Sequence, residues 1–522
     1  MKAIPSLVVL TVVGAVLFNF VFWNEASGIN YLLFSGFIVW VICKAYPSAL
    51  KQRLSVFTLA AHLVSVALVL IHGTGLSAVA AMITLFLFAA FAAHSHRSLA
   101  FATGTMLLQT IYLPAAFTEL ITKDKPGTSG TGRRQGWRKN LLIFPLVLMS
   151  CFLVVYLIAN KGFASMMQSW FTTAIEYLGS IFENFSWSRT LFVLLGAYTT
   201  GALIIRTRIA YFSKREAPLS DDLIRIRNAD NASSFGRLVS GFASASTVGT
   251  MGLRYKYKVG LISLVMLNLL LLLVNITDIN YIWLGGSANI DTTFSELVHE
   301  GTGTLILSII MAIAVVLIFF DGNLNFYKRN KSLKLAAYVW IAQNIFLVFS
   351  VFLRDYYYIS HHGLAYKRIG VLFFLALVLT GLISVIIKIA CIKTGYFLFR
   401  VNGNAVLGLL LIGAVVNWDI LIAKYNIKHV DSIRPDIVFL MNLSDQTLPI
   451  LYENWMKLEP YTRGRKFWYG ESRYIKSITF DEVIAARQKD YLDIKTNQSW
   501  LSFNLTDHQT KNYFTKQIVA KH

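Results

Sequence analysis

The sequence predicts an all-α fold: a polytopic transmembrane helix bundle of about twelve spans with a C-terminal, mainly helical soluble tail. Three observations carry the prediction. Apolar residues make up 56% of the 522-residue chain and charged residues 14%, against about 25% charged in soluble domains. Apolar runs near the ~20 residues that cross a hydrocarbon core recur from residue 6 to residue 418. The runs are continuously apolar and do not alternate as the strands of a membrane barrel would, so helices are expected.

The runs fall at 6–23, 29–46, 54–71, 75–93, 98–116, 140–160, 190–205, 259–275, 302–320, 335–353, 369–391 and 404–418. The first is long for a signal peptide, carries Phe18, Phe20, Phe22 and Trp23, and precedes no small-x-small cleavage site. It is therefore predicted to be a span. Residues 1–116 form an N-terminal membrane block and 117–418 a C-terminal one that contains a long cytoplasmic loop, 206–258. Residues 419–522 form the tail.

Orientation follows from loop Lys and Arg, which stay on the cytoplasmic side. Loop 117–139 carries Lys123, Lys125, Arg133, Arg134, Arg138 and Lys139, and loop 206–258 carries ten Lys and Arg. Two spans separate these loops, so both are predicted cytoplasmic, with loop 321–334 and the turn holding Lys393 and Arg400. Segments 161–188, 276–301 and 354–368 and the tail then lie outside. The first third conflicts with this scheme. Five preceding spans would put Lys2 and the turn with Lys44, Lys51 and Arg53 outside. Either one early segment does not span or the rule is locally broken, and the boundary least secured is His94-Ser95-His96-Arg97.

Residues 164–186 place Met167, Trp170, Phe171, Ile175, Leu178, Phe182 and Phe185 at helical spacing. Such a helix lies along an interface or packs on the bundle. Ser233–Gly252 is rich in Gly and Ser, and Gly249-Thr250-Met251-Gly252 lacks the GK[ST] of a phosphate loop. In the tail, Ser444-Asp445-Gln446 before Leu448 marks a helix start, with Pro449 tolerated in the first turn. Thr479 with Glu482 forms a capping box, and 461–478 is expected to be a loop.

Net charge is +21; the tail holds 15 Lys and Arg against 12 Asp and Glu, so the excess sits in the membrane blocks. Without a nucleic-acid motif, this charge is read as orientation and contact with anionic lipid at the cytoplasmic loops. The expected partners are membrane lipids and a protein engaging loop 206–258 or the tail, and no nucleic acid. Cys43, Cys151 and Cys391 lie in or at the ends of apolar segments without CxxC or zinc spacing. No cofactor is predicted.

Three polar groups fall on the predicted outer face. Glu296, His299 and Glu300 enter the ninth span. The Glu-x-x-His spacing puts Glu296 and His299 on one helix face, so these two are the metal candidates. The spacing occurs without a second copy, and acidic residues also suit a helix start. A proton-responsive pair is a further option. Arg354, Asp355, Tyr358, His361 and Arg368 join the tenth and eleventh spans, either as an interfacial belt or as anion contacts. Asn417, Asp419 and Asn426 end the last span and start the tail, where helix-terminal hydrogen bonding also explains them. No catalytic residue is assigned. Gln109, Asn268, Asn275, Gln343 and Asn344 inside the bundle are read as interhelical hydrogen bonding.

These residues sit in ordered motifs: Val298-His299-Glu300-Gly301; Arg354 through Tyr358 with Gly363-Leu364 and Arg368; and Asn417-x-Asp419-x-x-Ile422-Ala423-x-x-Asn426. Leu443-Ser444-Asp445, Pro449, Leu451, Trp500, Ser502 and Asn504 follow. The set resembles a bacterial multi-pass membrane family catalogued as a domain of unknown function, over roughly residues 230–505. Trp418 departs from the Pro usual between the Asn and Asp. The resemblance implies a protein of the bacterial cytoplasmic (inner) membrane and brings no activity with it. Convergence of polar residues between helices leads to the expectation of a transporter or channel-like protein with a polar site near the outer face. One alternative is a sensor or assembly component coupling an outer-face ligand or pH to loop 206–258. The other is a membrane enzyme acting on lipid or envelope substrates.

Overall fold

The computed structural model describes residues 7–123, 186–206, 210–223, 250–284, 307–320, 322–433, 435–463, 467–469 and 476–521, with most of 148–179. Seven helices are long and apolar enough to cross a membrane: Arg53–His72, Gly75–Ala93, Leu99–Thr118, Leu253–Trp283, Lys331–His362, Tyr366–Ala390 and Gly395–Val415. Leu7–Phe22, Ile29–Ala45 and Leu307–Phe319 are shorter apolar helices. The protein is thus a helical membrane protein.

The first group contains α1 (Leu7–Phe22), α2 (Ile29–Ala45), α3 (Arg53–His72), α4 (Gly75–Ala93) and α5 (Leu99–Lys123). After α6 (Lys161–Gly179) it is completed by α7 (Trp187–Ile204). Its core holds Ile38, Ile42, Phe88, Phe91 and Ile204. Small residues let backbones approach where no hydrophobic effect drives helices together in lipid. A Cβ added at Gly196 of α7 would lie 2.7 Å from the Phe18 ring of α1. Trp170 and Phe171 of α6 are exposed.

The second group follows a short helix, α8 (Tyr211–Glu216). It comprises α9 (Thr250–Asp278), α10 (Leu307–Phe319), α11 (Lys331–His362) and α12 (Tyr366–Ala390). Its separate core holds Leu264, Phe320, Leu333, Ile341, Val351 and Ile389. α9 and α11 run parallel, tied by Asn268 Nδ2 to Ala336 O (3.0 Å) and Asn275 Nδ2 to Gln343 O (3.3 Å). α13 (Gly395–Val415) joins the two groups, giving Leu407 to the first core and Leu398 to the second.

The tail opens with α14 (Trp418–Lys428), α15 (Ile437–Met441), α16 (Leu448–Glu453) and α17 (Trp455–Thr462). Strands β1 (Phe467–Tyr469) and β2 (Lys476–Ile478) pair antiparallel before α18 (Phe480–Asn497) and α19 (Leu505–Lys521). Pro449 sits in the first turn of α16 and the Thr479–Glu482 capping box opens α18, as expected. The segment 461–478, expected to be a loop, ends α17 and supplies the hairpin. Phe467-Trp468-Tyr469 favours a strand, and the Phe467 ring packs on Phe480 with 6.0 Å between centroids.

The helix ends form two faces. One collects the turn 46–53, the turn 94–98, the strap 210–223 and the turn 390–394. Tyr46 donates to Ile204 O (2.9 Å), and Arg206 stacks 3.4 Å over the Tyr46 ring. Lys393 pairs with Asp222 (2.5 Å), and Arg400 pairs with Asp221. The turn with Lys44, Lys51 and Arg53 therefore shares an end with Arg206 and Lys393, which removes the conflict in the first third. The reason lies in α5. Its residues 101–109 meet Tyr396, Phe212, His96 and Ile205, all at this end. This stretch of α5 lies across the ends of its neighbours.

The opposite face collects the loop 23–28, the turn 72–75, the turn 363–366 and the tail. The tail packs against these turns. Asn426 of α14 grips the turn between α11 and α12: its Oδ1 accepts from Leu364 N (2.6 Å) and its Nδ2 donates to Leu364 O (2.9 Å). Gly363 adopts φ +80°, and a Cβ there would lie 2.5 Å from Asn426 Oδ1. Glycine meets both demands. Replacing Asn426 by Ala leaves two backbone groups without partners, at about 1–3 kcal/mol each. A lower thermal unfolding midpoint of the purified protein is expected, and an unchanged midpoint would refute the clamp.

Candidate functional site

The site is assembled from three helices of the second group. Arg354 lies two turns before the end of α11, about 12 Å inside it at 1.5 Å per residue. It is 8% exposed and pairs with Asp278 at the end of α9. Asp355, 4% exposed, lies on the adjoining face and feels the charge of Arg368 at the start of α12. Ser350 also bonds the Asp278 carboxyl, and among the described residues three atoms of this trio lack a hydrogen-bond partner of good geometry: Arg354 Nε, Asp278 Oδ2 and Asp355 Oδ2. Along the same α9–α11 seam, Gln343 Nε2 donates to Asn268 Oδ1 (2.8 Å), while Asn275 Oδ1 and Gln343 Oε1 are unpartnered. Trp283 Nε1 donates to Ser350 Oγ (3.1 Å) and closes the upper end. The seam is a line of polar groups within apolar helices, ending in one cation and two carboxylates.

The other residues read from sequence occupy nearby positions with different roles. Arg368 stacks 4.2 Å over Tyr358 and donates through Nη1 to His362 O (2.9 Å) and to Gly363 O, so it caps the carbonyl end of α11. The Tyr358 ring stacks on His362 at 4.5 Å. His361 Nδ1 lies 3.1 Å from Ser360 Oγ in an exposed position. Asp419 accepts from Tyr366 OH and from Ser444 N (3.0 Å). Asn417 caps α14 through Ile420 N (3.3 Å) and donates to Gln446 Oε1 (2.6 Å). The second and third sequence groups therefore meet, through Leu364–Asn426 and Tyr366–Asp419, and these contacts satisfy the residues as structural clamps. Glu296, His299 and Glu300 lie outside the described residues. Among the described residues, no group of three or more His, Cys, Asp or Glu could hold a metal ion.

Asp278 was missed by the sequence reading. A signal existed: Asn268, Asn275 and Asp278 recur at intervals that share one face of a helix. A second cluster was also missed, at the basic end. His96 Nδ1 lies 2.7 Å from Glu216 Oε2 and its Nε2 lies 2.8 Å from Thr105 Oγ1. Glu216 Oε1 accepts from Tyr396 OH (2.7 Å) and from Arg97 N (3.1 Å). Arg97 reaches on to Glu216 O (2.9 Å) and Leu219 O (2.5 Å). His94–Arg97 read only as a boundary because Glu216 is more than a hundred residues away. Burial pushes the Glu216 carboxyl up, but bonds from His96, Tyr396 and Arg97 outweigh it and hold the carboxyl below its ordinary value. The cluster is a buckle that fastens the strap to α5 and α13.

Two helix groups joined through one shared helix, fastened by a strap at one end and a tail at the other, define a polytopic helical membrane protein. Comparison with family models places it further: residues 36–454 match the family described as "Domain of unknown function (DUF4153)", and the chain belongs to that family. The match starts well before the roughly 230 expected, taking in α2 onward, and ends before Trp500, Ser502 and Asn504. No match to the chain is found among curated proteins or among solved structures.

Two predictions follow from these contacts. Asp278→Asn leaves Arg354 as an uncompensated buried charge, expected to cost about 3–5 kcal/mol in thermal or denaturant unfolding. The double replacement Asp278→Leu with Arg354→Leu is expected to restore most of that loss. A single mutant as stable as wild type would refute the pairing. For Glu216, a lowered carboxyl contributes stability that is present above its ordinary value of 4.5. That contribution is lost as pH falls further, through the lowered value. Hydrogen exchange in 210–223 should therefore rise in acid in wild type and be high at all pH values in Glu216→Ala. Acid-independent protection in wild type would rule the buckle out as the source.

Proposed function

We propose that the protein is a transporter or channel-like protein of the bacterial inner membrane, with the Asp278–Arg354–Asp355 cluster as its polar site. The observation that carries the reading is the set of unpartnered polar atoms on a buried cation and two buried carboxylates. Ionisable residues set among apolar helices are costly, and they mark substrate, ion or proton paths. The seam from Asn268 to Arg354 supplies polar contacts along the depth of the helix group. The solute class that suits one cation beside two carboxylates is small and charged. The basic end, carrying Lys44, Arg206, Lys393 and Arg400, is the proposed cytoplasmic side, in contact with anionic lipid. In this topology α5 lies along that side. The reading requires no cofactor.

A second reading, a sensor or assembly component, is favoured by the buckle, which ties the strap leading into 224–249 to helices of both groups. A cytoplasmic protein engaging that loop would bear on both groups at once.

Flux distinguishes the two. Proteoliposomes with wild-type protein are expected to pass at least one small charged solute from a broad panel. Asp355→Asn should cut that flux at least tenfold without lowering the unfolding midpoint. Identical fluxes in wild-type and protein-free vesicles across the panel would sink the transport reading. Crosslinking in cells would then show whether a cytoplasmic partner sits on the strap.

A further inference from the structure

The segment between α18 and α19 faces the wrong way for a water-exposed tail. Its polar atoms point inward, onto the loops of the first helix group. Ser502 Oγ donates to Glu25 and accepts from Ala26 N (2.8 Å). Asn504 Nδ2 donates to Asp507 (2.9 Å) and to Ser27 O (3.3 Å), and Thr506 Oγ1 donates to Ile71 O (2.7 Å). Gly28 lies so close that a Cβ there would sit 2.5 Å from Phe503 O. Leu501 is buried in the first core, but three other apolar side chains are left outside: Trp500 is 62% exposed, Phe503 41% and Leu505 42%. Single exposed apolar residues are ordinary on a water-facing surface; three within six residues, with Ser502 and Asn504 between them turned inward, are not.

The position of these three side chains explains them. They sit at the start of α2 and the end of α3, helices whose residues Leu32, Leu33, Leu63 and Val64 are exposed apolar groups. Leu505 precedes the residue bonded to Ile71, itself exposed, and Leu76 lies just across the turn. Trp187 and Trp283, also exposed, mark the same end of the bundle. Tryptophan and phenylalanine at this level suit the boundary between headgroups and acyl chains.

We propose that Trp500–Leu505 is seated in the lipid headgroup boundary at the tail-side end of the bundle, as a monotopic anchor that continues the lipid-facing surface of α2 and α3. The occupant of this apolar face is the bilayer. The tail is then held by polar contacts to the loops on one side and by lipid on the other.

Spin labels test this in the full chain in lipid nanodiscs, with the three native cysteines replaced. Labels at Trp500→Cys and Phe503→Cys should collide more with oxygen than with a water-soluble nickel chelate. A label at Lys489→Cys, an exposed charged position of α18, should show the opposite ratio. Nickel accessibility at 500 and 503 matching that at 489 would overturn the proposal. So would shielding from both reagents, which would mean a second copy or another protein covers the face. Should the cysteine variants fail to fold, bromolipid quenching of native protein against Trp500→Phe decides. Bromines placed near the headgroups are expected to quench a measurable share of emission that Trp500→Phe lacks, and equal quenching in both would refute the anchor.

Discussion

A polar group that leaves water must find a partner inside the protein, and in lipid that demand is strictest because no solvent is at hand. Much of the helix arrangement follows from how this chain meets it. Gln109 of α5 donates to Ala202 O (3.1 Å), tying α5 to the end of α7. Asn268 and Asn275 reach across to α11, setting it parallel to α9. Lys388 donates its ammonium to Phe320 O (2.9 Å) and draws the end of α12 onto α10. The amide bonds are each worth about 0.5–1.5 kcal/mol net and the ammonium bond about 1.5–3 kcal/mol. Each nevertheless selects one neighbour out of many, since an apolar helix packs almost as well against any other in lipid.

The same demand organises the two ends. The two helix groups have separate cores and meet chiefly through α13, so the ends do much of the fastening. At one end Glu216 gathers His96, Arg97 and Tyr396 around the strap. At the other, Gln446 accepts from Asn417 and donates to His72 O (2.9 Å) and Asp507 (2.8 Å). Asp507 also holds Lys495 (2.6 Å) and Asn504. Gln446 therefore connects α3, α13 and the tail in one network. A change in how the groups sit against each other must strain one of these two fastenings.

The helices were legible because spans announce themselves by composition, and Pro449 and the Thr479–Glu482 box mark tail helix starts by local chemistry. Their neighbours were not. Asn426 and Leu364 are 62 residues apart and His96 and Glu216 are 120 apart, and no local pattern encodes such a pairing. The polar residues at 354–368 and 417–426 were expected on one face, with their meeting left open; they do meet, through Leu364–Asn426 and Tyr366–Asp419, and most of them are spent on structural contacts. Arg368, offered as belt or anion contact, caps the end of α11, and Asn426, for which helix-terminal bonding was one explanation, clamps Leu364. The α5 topology was hidden for a related reason: hydropathy measures how apolar a helix is, not which way it runs, and only contacts such as Thr105 with His96 reveal that.

The residual question is why Asp278, Arg354 and Asp355 are there at all. Stability does not require them. Desolvation of a buried pair commonly cancels its attraction, and well-packed apolar replacements are often neutral or better by about 1–4 kcal/mol. Elsewhere the chain shows how it treats a polar group that serves structure. Asn426 and Gln446 have their amides engaged, and Glu216 shares its carboxylate among three donors. Among the described residues the trio leaves three buried polar atoms unpaired; Asn275 and Gln343 on the same seam and Gln109 and Arg206 elsewhere also leave such atoms, but in the trio a cation and two carboxylates do so together. Open polar atoms are therefore not peculiar to the trio; its distinction is that charged groups carry them inside a helix group, the situation that marks functional candidates in membrane proteins. That concentration of charge is the physical basis for proposing a site at the head of the α9–α11 seam.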